Sequence, residues 1–140
     1  MSTVPWSTRL EDVLMEQLRR EAKAQATSVS GLVQSLVEEG LRMRALPDIV
    51  FRPGPSGRRP GVVGGPDVWE VIVALKGSEK RGEAAVGEVA AELSLEPRQV
   101  AAALDYYGRW PREIDEWIAE NDRLADEAQA AWEARQLVLA

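Results

Sequence analysis

The sequence predicts a mainly α-helical chain in two parts. A short strand and two helices, built to pair with a second copy, precede a small helical domain that ends in a long helix. Three observations predict this. A strand-like run at residues 4–10 passes directly into two amphipathic stretches that end near Arg44. A Pro/Gly-rich segment at residues 46–65 then interrupts any helix. From Asp67 onward, apolar residues return at three-and-four spacing almost to the C-terminus.

Composition bounds the function. At 140 residues the chain has room for one domain or two small ones. It contains no Cys and no His, which removes disulfides, thiolate metal sites and the commonest general base. No metal site or cofactor is expected, and Gly64-Gly65 lacks the glycine pattern and lysine of a phosphate-binding loop. A binding protein is therefore expected rather than an enzyme. No apolar run approaches the roughly 18 residues of a membrane span, and the N-terminus lacks a signal-peptide pattern. A cytoplasmic protein with no membrane partner follows as the expectation. The net charge of −6 is unevenly spread. Residues 1–63 carry nine basic against seven acidic side chains, or +2, and residues 64–140 carry eight against sixteen, or −8. That asymmetry suits a front that faces DNA and an acidic rear that avoids it or meets a basic partner.

In the first strand, alternate side chains face opposite ways. Trp6, Thr8 and Leu10 share the face expected to lie on the helices, and Pro5, Ser7 and Arg9 share the outer one. A two-stranded ribbon fits the major groove, where Arg9 would bond guanine or hold a phosphate and Ser7 would bond to several bases. Pro5 has no N–H and belongs at the strand's start or at an unpaired position. The first helix spans about residues 11–26, with Glu11 and Asp12 at its positive end. Its apolar stripe is Val13, Leu14, Leu18, Ala22 and Ala26. Thr27 and Ser28 are good N-caps for a second helix, whose apolar face is Val29, Leu32, Val33, Leu36, Val37 and Leu41. One strand and two helices of this size cannot enclose a core alone. Two copies can, by pairing their strands antiparallel over four helices.

That pattern resembles the ribbon-helix-helix repressors and antitoxins, through Ser7-Thr8-Arg9-Leu10, the acidic pair after it, and Thr27-Ser28-Val29-Ser30. The resemblance implies base reading by Ser7 and Arg9, with Pro5 at the same face, and a phosphate clamp at Ser28, Val29 and Ser30. Free N–H groups at a helix start bind anions, which gives the clamp a physical basis. A plain cap at Ser28 and a solvated charge at Arg9 are the alternative; the spacing between the two favours DNA. The module is assigned residues 1–45.

Residues 46–66 are expected as a Pro/Gly/Arg-rich linker. Ile49-Val50-Phe51 and Val62-Val63 are candidate short strands, and Arg52, Arg58 and Arg59 are candidate phosphate contacts or solvated loop charges. Residues 67–119 form the small helical domain, with helices expected at 68–76, 85–93 and 98–107. Pro97 sits where a first-turn proline is tolerated. The last two of these helices have helix-turn-helix spacing, in which Arg98 and Gln99 would enter a groove. The acidic surroundings favour a domain that packs or dimerises instead.

The segments Val62-Val63-Gly64-Gly65-Pro66-Asp67-Val68-Trp69, Leu95-Glu96-Pro97-Arg98-Gln99-Val100, Ala103-Leu104-Asp105-Tyr106-Tyr107 and Trp110-Pro111-Arg112-Glu113-Ile114-Asp115 are similar to a small domain of VapB-like antitoxins. Their operons encode PIN-like ribonuclease toxins. A glycine-threonine-arginine segment usual in that family reads Gly64-Gly65-Pro66-Asp67 here, so no role of its arginine is transferred.

A last helix starts at Pro111 and runs to about residue 137, with a tail domain assigned to residues 120–140. Trp117, Leu124, Ala128 and Trp132 keep helical spacing, and with Leu137 they are the residues expected to meet a partner's groove. The resemblance implies that this tail blocks the ribonuclease; homodimer packing is the alternative. The whole chain then reads as the antitoxin of a type II toxin–antitoxin pair, binding operator DNA as a homodimer or higher and neutralising a PIN-like ribonuclease. The alternative is a stand-alone transcriptional regulator whose rear domain only oligomerises.

Overall fold

The computed structural model describes residues 2–140. The chain divides into two compact units, Met1–Arg42 and Met43–Ala140. The element order is α1 (Asp12–Ala24), α2 (Val29–Ala45), β1 (Ile49–Arg52), β2 (Arg59–Val62), α3 (Val68–Gly77), α4 (Gly82–Glu92), α5 (Pro97–Arg109) and α6 (Pro111–Leu139).

In the front unit, residues 2–11 carry no regular secondary structure and are exposed. The strand expected over residues 4–10 is not formed within one chain, because a β ladder needs a neighbouring strand, and β1 and β2 pair with each other and, at Gly61, with Asp67. Asp12 in the first turn of α1 and Lys23 in its last turn suit the helix dipole. The turn after α1 closes as a Schellman motif: the Thr27 N–H donates to the Ala22 carbonyl at 2.9 Å and the Ala26 N–H to Lys23 at 3.2 Å. Ala26 takes the left-handed position, with φ 53°, where glycine is usual. Ser28 then caps α2, its Oγ accepting the Gly31 N–H at 3.0 Å. Among the described residues of this unit only Leu18, Ala22 and Leu32 are buried, with Val29 and Val33 packed against them.

The rear unit has a proper core. β1 and β2 form an antiparallel hairpin in the register Ile49↔Val62, Val50↔Gly61, Phe51↔Pro60 and Arg52↔Arg59. The stretch expected as a linker therefore supplies core residues: Ile49 and Val62 are buried with Val68 and Ile72 of α3, Val89 of α4, Val100 and Tyr106 of α5, and Ile114 of α6. Tyr106 is the largest fully buried side chain. Its ring lies 4.7 Å from that of Trp110 and meets Phe51 edge-on at 6.2 Å, and its hydroxyl donates to Glu113 Oε1 at 2.7 Å.

The helices of this unit start and stop for local reasons. Glu70 Oε2 accepts the Asp67 N–H at 2.9 Å at the head of α3. Pro97 occupies the first turn of α5, where its missing N–H costs nothing. The Gln99 side chain accepts the Glu96 N–H at 2.8 Å. Between α4 and α5 a second Schellman closure places Ser94 at φ 55°, with the Leu95 N–H on the Ala90 carbonyl at 2.7 Å. α6 is 29 residues long. Ile114 reaches the core with Trp117 and Ile118 packed against it, while every residue from Asn121 to the C-terminus is exposed.

Candidate nucleic-acid interface

The front unit presents two sets of groups suited to DNA. The first is the N-terminal arm, on which Pro5, Ser7 and Arg9 are all exposed. Among the described residues no hydrogen bond or ion pair occupies Ser7 or Arg9. The second is the head of α2. Ser28 Oγ satisfies the Gly31 N–H and the Ser28 carbonyl receives the Leu32 N–H at 2.9 Å. The N–H groups of Val29 and Ser30 are left pointing out of the helix start, with no partner among the described residues. N–H groups at the positive end of a helix attract anions in general, and this helix is 17 residues long. Ser28 is thus a cap by observation, and the same geometry leaves its neighbours open for a phosphate. The outer side of α1 adds Arg19, Arg20 and Lys23, all exposed; only a long 3.9 Å pair joins Arg19 to Glu16.

The arginines of the hairpin have another role. Arg52 donates to Asp67 Oδ1 at 3.2 Å, to the Val62 carbonyl at 2.5 Å and to the Gly65 carbonyl at 2.7 Å. Arg59 donates from Nε to Asp67 Oδ2 and from a terminal nitrogen to the Pro53 carbonyl at 3.3 Å. Arg58 reaches the Phe51 carbonyl at 3.2 Å. Arg52 and Arg59, candidates for phosphate contacts or for solvated loop charges, instead give donors to a buried carboxylate, because the Arg52↔Arg59 register brings both to Asp67. Sequence reasoning missed this role of Asp67. The signal was an acidic residue after Pro66, with two arginines placed to face each other across a hairpin.

The helix-turn-helix reading of α4 and α5 meets a similar obstacle. Arg98 lies against Glu96 at 2.6 Å and Asp48 at 3.5 Å, and the hydrogen bond it donates to Glu96 is the main cause of its raised pKa. Gln99 donates to the Val63 carbonyl at 3.0 Å. Both side chains tie α5 to the hairpin.

Of the residues expected to hold a protein partner, Trp117 is half-buried against the core, whereas Leu124, Ala128, Trp132 and Leu137 lie on the exposed part of α6. Arg123 bridges Glu120 and Glu127 on that helix, and its hydrogen bond holds the Glu120 carboxyl below its ordinary range. Among the described residues no group of three or more acidic side chains could hold a metal ion, and no helix is long and apolar enough to cross a membrane.

Residues 10–45 match the family model described as "CopG-like RHH_1 or ribbon-helix-helix domain". The chain therefore carries a ribbon-helix-helix module of the DNA-binding kind at its N-terminal end, and modules of this class bind DNA as dimers. The match covers Ser28, Val29 and Ser30 and begins one residue after Arg9. No curated protein and no solved structure matches the chain.

Proposed function

We propose that this protein is the antitoxin half of a type II toxin–antitoxin pair. Its front module pairs with a second copy and represses the operon by laying Pro5, Ser7 and Arg9 in the major groove, with Ser28, Val29 and Ser30 on a phosphate. Its rear neutralises a PIN-like ribonuclease through α6. The observation that carries the second half is the unpartnered tail. Trp132 is 57 % and Leu137 80 % exposed on a helix that its own chain leaves bare from Asn121 onward. An amphipathic helix of this length is suited to a groove on another protein. The protein acts by binding rather than by catalysis, in the cytoplasm where operator DNA is found.

A chain ending at Asn121 keeps Ile114, Trp117 and Ile118, and hence the rear core. In a pull-down from the native host, the full chain should retain one small protein near stoichiometrically, and that protein should cleave RNA only when freed. The shortened chain should lose it while keeping operator binding. If both forms retain only DNA, the protein is a stand-alone regulator and the tail serves the homodimer. On the DNA side, Arg9→Ala should weaken operator binding by about 1–3 kcal/mol and relax sequence preference. Unchanged affinity in a titration at fixed salt would take the arm out of the groove.

A further inference from the structure

The turn between β1 and β2, the head of α3 and the middle of α6 enclose an open groove of about 450 Å³. Trp69, Trp117 and Leu124 give it apolar walls. A depression of about 350 Å³ continues it past Trp117 to Glu113 and Glu116. Although Arg52 and Arg59 line it, they offer little to an anion, since Asp67 and backbone carbonyls already take their N–H groups. Along both openings two arginines stand against five carboxylates, and Arg123, held on Glu120, brings the formal charge to −2.

A negative rim beside tryptophan faces selects a cation with an apolar stem. A guanidinium or ammonium is attracted to the indole face, and the methylene chain of Lys or Arg covers apolar surface while its head reaches a carboxylate. A second copy's tail is a poor occupant, because residues 121–140 carry four acidic and two basic side chains, or −2, and would meet like charge. We propose that this groove receives a basic, apolar segment of the protein partner, its cation over Trp69 or Trp117 and against Glu116, since Arg123 already holds Glu120. This rests on the reading of the rear unit as a toxin-binding module and names what it recognises.

The test uses the full chain and two labelled short peptides, one alternating Arg and Leu and the other alternating Glu and Leu, read by fluorescence anisotropy. The Arg peptide should bind, more weakly as salt rises, and the Glu peptide should not. Glu116 is exposed and has no partner among the described residues, so Glu116→Lys should fold normally and weaken the Arg peptide at least tenfold. Equal binding of both peptides, or no effect of Glu116→Lys, would overturn the proposal. The native-host pull-down separates the two levels. If the chain ending at Asn121 loses the toxin while Glu116→Lys retains it fully, the groove assignment fails and the antitoxin reading survives. If the full chain retains no protein, yet binds the Arg peptide in a Glu116-dependent way, the groove's preference stands and the antitoxin reading fails.

Discussion

Replacing Asp67 with alanine is expected to destabilise the rear unit by about 3 kcal/mol. Asp67 is 6 % exposed, and both its oxygens accept from arginines on opposite strands of the hairpin. Removing the carboxylate leaves two guanidinium groups crowded at the foot of the hairpin with their charge uncompensated. Taking one partner from a buried ion pair costs about 3–5 kcal/mol. Arg52 and Arg59 are 31 % and 28 % exposed, so water relieves part of this and the lower end of the range applies. Asp67→Asn keeps an acceptor oxygen without the charge and should lose roughly half as much. Urea denaturation of the rear-unit transition measures both. A loss below about 1 kcal/mol for the alanine variant would mean that the arginines find other acceptors and that the ion cluster does not hold the hairpin to α3. Operator binding by the front unit should not change in either variant.

This cluster also shows where the sequence stops being legible. The helices of the rear unit could be read because apolar residues such as Val68, Val71 and Ile72 recur at helical spacing, with Asp67 and Pro97 marking the starts. The hairpin was harder. Six prolines and glycines between Pro53 and Gly61 read as loop, yet Pro60 and Gly61 sit in β2 with Val62 against the core. Which arginine would meet which acid depends on strand register, a tertiary property. The two Schellman turns were hidden for a different reason. Ala26 and Ser94 take left-handed backbone without the glycine that advertises it. The strand expected over residues 4–10 is of a third kind, since residues 2–11 carry no regular structure in one chain and a β ladder needs a neighbouring strand. Ser28 as a cap was legible from Thr27-Ser28 alone, because its hydrogen bond spans three residues.

Leu36→Asp is expected to leave the front unit folded as far as one chain can fold it, and to abolish pairing. The reason is how little one copy buries. Among the described residues Leu18, Ala22 and Leu32 form its buried cluster, while Val13, Leu36 and Leu41 stay 71 %, 50 % and 65 % exposed. The ribbon-helix-helix architecture covers such residues only by pairing two copies. Burying a leucine is worth about 1.5–3 kcal/mol, and a twofold interface counts each substitution twice, before the added cost of drawing two carboxylates out of water. A loss of about 3–6 kcal/mol raises the dimer dissociation constant by a factor on the order of 10²–10⁴. Sedimentation at low micromolar concentration should show the wild type as a dimer whose melting temperature rises with concentration, and the variant as a monomer. Operator binding should fall with it, since the ribbon exists only when both strands are present. A variant that remained dimeric through the front unit, or a wild type whose melting was independent of concentration, would place the second strand's partner elsewhere and remove the ribbon from the account of DNA binding.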